Sequence, residues 1–290
     1  MMMMSPPPPK IPHKSPEHHQ PEPQQQQQHF PFSETWEPRI ADQIRLGVEA
    51  LSSLDEAKSS NGGPRRPFMV ALVGMPGSGK STSSAMLAGA LERRGISSTI
   101  VSHDGYHYPI AELKKMPDAK DLIYRRGAPE TFDPEALIAD LRRIRDGRED
   151  VVSMPGFDHA RGDPEPGAHL FDRRRHQVVI GEGLYLMHDD DGWRDVQKSF
   201  DLSIYIDSDV EICVDRVRRR NACIPGYTPE QLAIRVEEVD RVNAETVARS
   251  KANADVVVSS TSIQPKVSMP RTMSSNIDLV KLSMQRAVCA

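Results

Sequence analysis

Ile40, Ile44, Val48 and Leu51 recur at steps of four, four and three residues, so residues 36–57 predict an amphipathic helix. SSNGGP at 59–64 ends it. The unbroken apolar run FMVALV (68–73) predicts a buried strand, and SAMLAGALERRG (84–95) a helix closed by Gly95. STIVS (98–102) reads as a second short strand. Asp133 and Pro134 form an N-cap and first helical position for a helix reaching Arg145. Further strands are predicted at QVVIGE (177–182), FDLSIYID (200–207) and ADVVVSS (254–260). Helices are predicted at 208–220 and at 229–249, the second opened by Thr228 and Pro229. Apolar strands alternating with helices imply an α/β fold of three layers, a parallel sheet covered by helices on both faces.

Residues 1–32 follow another regime. PPPP and QQQQQ runs and four histidines leave almost nothing apolar to bury, so a disordered Pro/Gln/His-rich tail is expected. Its histidines read as part of the low-complexity tract, and its partners are unknown. The expected organisation is this tail, a helix with linker over 33–65, a main domain over 66–260, and a tail with a short helix (276–288) over 261–290. Net charge is −4, which disfavours a nucleic-acid partner. Cys213, Cys223 and Cys289 are too scattered for a disulfide framework or zinc site. No apolar run approaches the roughly 20 residues of a membrane span, and the N-terminus lacks a signal-peptide core. No membrane association and a cytoplasmic location are therefore expected.

The chemistry enters at LVGMPGSGKSTSSAML (72–87). Gly74, Gly79, Lys80 and Ser81 fit G-x-x-x-x-G-K-[ST], after a predicted strand and at the start of a predicted helix. Backbone N–H groups of Gly74, Pro76 to Ser78, Gly79 and the residues through Thr82 form the expected phosphate cradle, Pro76 contributing only its shape. Lys80 can reach the β- and γ-phosphates of ATP, and the Ser81 hydroxyl can ligate Mg²⁺. The P-loop NTP hydrolase fold is therefore expected. No N-K-x-D base-reading motif is present, which argues against a GTPase. Glu182 ends a strand and suits a Mg²⁺ site; a solvated strand-end glutamate is the alternative. In SHDGYHYP (102–109), Asp104 follows a strand and could take a proton from an attacking hydroxyl. Tyr106 and His107 beside it could line the pocket of a small polar molecule.

GMPGSGKST, DGYHY, PETFD (129–133) and GEGLYL (181–186) occur in the order found in the uridine kinase, pantothenate kinase and phosphoribulokinase superfamily, which the chain resembles over roughly 66–260. RRGAPETFD, PGFDHARGDPEPGA, EGLYLMHDDDGW and VDRVNAETV resemble its bacterial sugar-kinase-like and fungal ATP-dependent kinase branch. The resemblance implies Asp104 as catalytic base, Glu182 with Ser81 on Mg²⁺, Glu130 on substrate hydroxyls, and Phe157 and Arg161 along the acceptor pocket. It also makes the run Arg218, Arg219 and Arg220 resemble a lid over ATP; favourable cations at a helix C-terminus are the bland alternative. Arg173, Arg174 and Arg175 read as a solvated connection. Leu184 stands where members usually carry asparagine, and the segment after Arg161 departs from the nucleoside-binding motif of true uridine kinases.

The expectation is an ATP- and Mg²⁺-dependent kinase acting on a hydroxyl of a nucleoside, pantothenate-like molecule or sugar, with Asp104, Lys80, Arg218 and Arg219 as catalytic residues. The alternative is a nucleotide-dependent switch or scaffold without a small-molecule acceptor. Oligomeric state stays open, a homodimer included, as does ATP against GTP preference.

Overall fold

Strand β1 (Phe68–Gly74) is buried along its whole length, and its side chains alternate between two cores. The structure, a computed structural model, describes residues 36–58, 65–190, 192–222, 228–259 and 267–268. The expected tail at 1–32 and short helix at 276–288 lie outside the described residues.

Helix α1 (Trp36–Lys58) precedes β1, which leads into α2 (Lys80–Glu92) and β2 (Ser98–Ser102). A short 3₁₀ turn (His103–Tyr106) follows, then α3 (Ile110–Leu113), α4 (Ala119–Tyr124) and α5 (Pro134–Arg145). Strands β3 (Val151–Asp158), β4 (Asp163–Asp172) and β5 (Val178–Gly183) come next, then α6 (Arg194–Gln197) and β6 (Leu202–Asp207). Helix α7 (Val210–Asn221) is followed by α8 (Pro229–Arg235), a π-helical turn (Val236–Asp240) and α9 (Arg241–Arg249). Strands β7 (Val256–Ser259) and β8 (Val267–Ser268) close the described chain.

The main sheet runs β2-β5-β1-β6-β7-β8, parallel except for β8, which pairs antiparallel with β7 inside the segment expected to be tail. On one face, Phe68, Val70 and Leu72 pack with Val178, Ile180, Leu202 and Ile204 under α1 and α2. On the other, Met69, Ala71 and Val73 meet Leu137, Leu141 and Ile144 of α5 and Ala244 and Val247 of α9. Both faces are covered, as continuous apolar strands require. Among the described residues, no helix is long and apolar enough to cross a membrane.

Three features differ from the sequence reading. Helix α2 begins at Lys80, four residues before the predicted start, because its first turn is polar and carries no apolar periodicity. Strands β3 and β4 form an antiparallel hairpin apart from the main sheet, in a Gly- and Pro-containing region where no strand was expected. Its 3₁₀-turn neighbour approaches so closely that a Cβ on Gly105 would collide with the Pro155 carbonyl. Arg173, expected in a solvated connection, is instead buried: it donates to the carbonyls of Glu149 (3.0 Å), Arg143 (3.0 Å) and Arg65 (3.2 Å), with its guanidinium 5.2 Å from the Phe171 ring centroid.

Asp201, just before β6, is the buried electrostatic tie at the base of the sheet. It accepts two hydrogen bonds from Arg66 (2.7 and 3.2 Å) and one from the Met69 N–H (2.8 Å). Asp201→Ala removes two charge-assisted bonds from the partly buried Arg66 and leaves the buried Met69 amide without its acceptor, so urea denaturation should show a loss of about 3 kcal/mol. Arg143→Ala, which breaks exposed pairs, should cost no more than about 1 kcal/mol by the same measurement.

Candidate active site

The loop between β1 and α2 is shaped by its glycines. Gly77 (φ 81°) and Gly79 (φ 93°) adopt the left-handed region that side chains disfavour. A Cβ at Gly77 would lie 2.6 Å from the Cys213 carbonyl oxygen on α7, and one at Gly74 would lie 2.6 Å from Ser78 Oγ. Arg216 donates to the Gly77 carbonyl (3.0 Å), so α7 braces the loop from behind. Within α2 the first backbone bond is Ser83 N–H to Gly79 (2.9 Å), leaving the earlier N–H groups of the helix outside the ladder. Left-handed glycines, free helix N–H groups and the positive end of the helix dipole together form a cradle that fits phosphate.

Lys80 sits within this cradle, its Nζ 3.3 Å from the Met75 carbonyl. Burial lowers its pKa, while the charges of Glu182 and Asp104 pull the other way. Glu182 stands at the end of β5, where Ser81 Oγ donates to Oε1 (2.8 Å) and Ser84 Oγ to Oε2 (3.3 Å). A hydroxyl and a carboxylate at this distance form a donor set suited to a hard divalent cation. Pro76 and Ser78 lie in the curl of the loop, Ser78 buried, and Thr82 is exposed on the first turn of α2.

Asp104 leaves the end of β2 on the 3₁₀ turn, whose N-cap Ser102 accepts from the Asp104 N–H (3.2 Å). The fully buried His103 donates from Nδ1 to Asp104 Oδ1 (3.4 Å). Burial pushes the Asp104 pKa upward, but the His103 hydrogen bond and nearby positive charge, Lys80 included, outweigh it and hold the carboxyl well below its usual range. The chain therefore brings Lys80, Ser81, Glu182 and Asp104 to one edge of the sheet.

The acceptor-side residues assemble only in part. His107 stacks on Phe132 (centroids 3.7 Å apart), and His103 on the same ring (4.1 Å), so one phenyl fixes both imidazoles. Phe157 lies 5.2 Å from His107. Burial, the largest influence, drives the His107 pKa down to about 3. Glu130 pairs with Arg125, and Arg161 with Asp158 (2.5 Å). Tyr106 does not line a pocket: it is buried and its hydroxyl donates to Asp140 on α5 (2.9 Å), because the 3₁₀ turn rotates it toward the core.

The arginine run also needs correction. Arg218 pairs with Glu237 (2.9 Å) and Arg219 with Asp215 (2.7 Å), partners that lie outside the phosphate loop. Arg216 and Arg220 are four residues apart and hence on one helical face: the first bonds Gly77, and the second donates to Asn221 Oδ1 (3.4 Å) while its charge acts on Lys80. Helical spacing from Cys213 was the signal that could have separated them. Residues 223–227, the rest of the expected lid, lie outside the described residues. Arg126, missed in the sequence, ties the acceptor side together by donating to the Tyr108 carbonyl (2.9 Å), the Gly162 carbonyl and Asp163 (2.9 Å). A cavity of about 650 Å³, lined by Arg142, Arg145, Phe200, Ser203 and Asn253, sits by the N-terminal end of β6, away from the phosphate loop.

Comparison with known proteins agrees with this geometry. The family model described as "Phosphoribulokinase / Uridine kinase family" matches residues 69–266. An ATP-dependent kinase-like protein of Aspergillus versicolor is 35% identical over 153 residues, covering 51% of this chain and 88% of that protein. A pantothenate kinase of Paenarthrobacter aurescens is 31% identical over 221 residues, covering 71% of this chain and 66% of that enzyme. A crystal structure from a Silicibacter species, of a protein assigned provisionally as a fructose transport system kinase, superposes with a TM-score of 0.61 at 29% identity, covering 75% of this chain and 95% of that one. With the motif order, the strand–loop–helix cradle and the match over most of the described residues in agreement, the chain belongs to the phosphoribulokinase/uridine kinase family.

Proposed function

We propose that this protein transfers the γ-phosphoryl group of ATP to a hydroxyl of a small metabolite. The observation that carries the reading is the placement of Asp104 beside Lys80 at the strand edge, with one carboxylate oxygen held by the buried His103. A switch or scaffold has no use for a second carboxylate, besides the Glu182 that suits the metal, facing an acceptor hydroxyl. The family membership supports a small-molecule kinase, and the acceptor classes in view are nucleoside, pantothenate-like and sugar hydroxyls.

The geometry supports the following division of labour. Backbone N–H groups of the Gly74–Thr82 loop hold the phosphates of ATP, and Lys80 reaches the β- and γ-phosphates. Ser81 and Glu182 would hold Mg²⁺, which would supply charge neutralisation on the phosphate oxygens. Asp104 orients the acceptor hydroxyl and takes its proton. Its lowered pKa keeps it ionised, and in a loose transition state the proton leaves late, so positioning outweighs basicity. Arg216 and Arg220, in place of Arg218 and Arg219, stabilise charge on the transferring group. Glu130, His107, Phe157 and Arg161 border the acceptor, with no role for Tyr106 beyond packing.

Two outcomes are expected. Arg220→Ala should lower kcat by about 10²-fold or more, whereas Arg219→Ala should stay within a few-fold, measured as acceptor-dependent ADP release. Equal effects of the two would remove the helical-face assignment. Asp104→Asn keeps the size and the contact with His103 but cannot take the proton, so kcat should fall by about 10²–10⁴-fold with ATP affinity almost unchanged. Acceptor phosphorylation within a few-fold of wild type, or parallel loss of ATP binding by calorimetry, would sink the base assignment.

A further inference from the structure

The acceptor side is built from three segments: 103–110 at the end of β2, 124–133 leading to α5, and the β3–β4 hairpin (151–172). Together they carry three arginines and no lysine against seven Asp and Glu residues, and the stretch between the first two (111–123) is balanced, with Lys114, Lys115 and Lys120 against Glu112, Asp118 and Asp121. Each arginine is already committed. Arg125 pairs with Asp121 (2.7 Å) and with Glu130. Arg126 is mostly buried, bonded to Asp163 and two carbonyls, with its guanidinium 5.6 Å from the Phe157 centroid. Arg161 pairs with Asp158 (2.5 Å) and reaches Glu165 (3.8 Å). His107, held by Phe132 and desolvated, is neutral at physiological pH, with a pKa of about 3. The cations that serve phosphate, Lys80, Arg216 and Arg220, all stand on the other side, on the β1–α2 loop, α2 and α7.

Resting on the kinase reading, we infer that the acceptor is a neutral polyhydroxylated molecule — a sugar, a polyol or the ribose of a nucleoside — and not one bearing a carboxylate or phosphate. A carboxylate or phosphate on the acceptor meets guanidinium groups whose charge is already matched by Asp and Glu partners, and sits in a field with an excess of negative charge. Neutral hydroxyls meet the opposite situation. They donate to Asp104 and Glu130, whose carboxylates accept only, and the apolar C–H face of a sugar ring fits against the Phe157 ring. The charge of the reaction is thereby confined to the donor side, where the cradle is built for it.

The test uses the full chain with ATP and Mg²⁺ at pH 7.5 and reads acceptor-dependent ADP release. Neutral acceptors (D-ribose, D-fructose, glycerol, uridine) are set against anionic ones of similar size (D-glycerate, pantothenate, ribulose 5-phosphate). The best neutral acceptor should exceed the best anionic one in kcat/KM by about 100-fold. An anionic acceptor with the higher kcat/KM overturns the inference while leaving the kinase reading in place. ATP binding by calorimetry with no ADP release from either class overturns the phosphotransfer reading, and this inference with it. Glu130→Gln removes one negative charge and one acceptor of hydroxyl protons. It should lower kcat/KM for the neutral acceptor and narrow the neutral-to-anionic ratio by about tenfold. A ratio unchanged in that variant means that charge does not set the choice, and overturns the argument from charge.

Discussion

One row of the sheet governs the site. Glu182 is the register partner of Leu72 on β1 and of Ser102 on β2, so three parallel strands end level with one another. The phosphate loop, the Glu182 carboxylate and the Asp104 turn therefore emerge side by side at one edge, the place where open α/β sheets bind ligands. The register is enforced from within: Val70, Leu72, Ile180 and Ile204 fill the core under α1 and α2, while Met69, Ala71 and Val179 fill the other. A slip of one residue would exchange the two sets and swing Glu182 to the wrong face. The geometry of the candidate site is a consequence of core packing on both faces.

The second dependence is of the loop on α7. Asp209 caps that helix by accepting from the N–H groups of Glu211 and Ile212, which sets where its first turns lie. Cys213 then presents its carbonyl to Gly77 so closely that no Cβ fits, and Arg216 returns a hydrogen bond to the Gly77 carbonyl. The same helical face continues to Arg220. The loop is thus held open by a backbone contact that only glycine permits, and the helix making the contact also delivers the arginines.

How much of this could be read from the residues depended on the physics of each part. Buried parallel strands are continuous apolar runs, so FMVALV, VVIGE and LSIYID were legible, and the P-loop consensus put Lys80 and Ser81 in place. The β3–β4 hairpin was not, because Pro155, Gly156, Pro164, Pro166 and Gly167 mask the alternation that buries Val152 and Met154. Asp104 was legible from its place after a strand; His103 was not, since nothing in a histidine before it shows that Phe132, far along the chain, will clamp the ring. Three adjacent arginines look alike in sequence, yet the helix turns each by about 100° and gives them different neighbours. Tyr106 was misplaced for a related reason: a phenol beside a candidate base suggests a pocket wall, and only the tertiary position of Asp140 shows where its hydroxyl goes.

The two sides of the site treat charge in opposite ways, and the difference is structural before it is chemical. On the proposed acceptor side, Arg126 ties α4's exit to the hairpin through Asp163, Arg125 ties Asp121 to Glu130, and Arg161 closes a pair within the hairpin turn. These guanidinium groups shape the site and are not available to a ligand without loosening it. On the phosphate side, Lys80 is desolvated, the charges of Glu182 and Asp104 support it without a direct pair, and among the described residues its Nζ bonds the Met75 carbonyl. A buried ammonium so placed gains most from a multiply charged oxyanion in the cradle, because the surrounding low dielectric strengthens that attraction while the helix N–H groups add to it. On the proposed reading, the same sheet edge carries a charged half suited to the donor and a charge-matched half suited to the acceptor, with Asp104 at the seam between them.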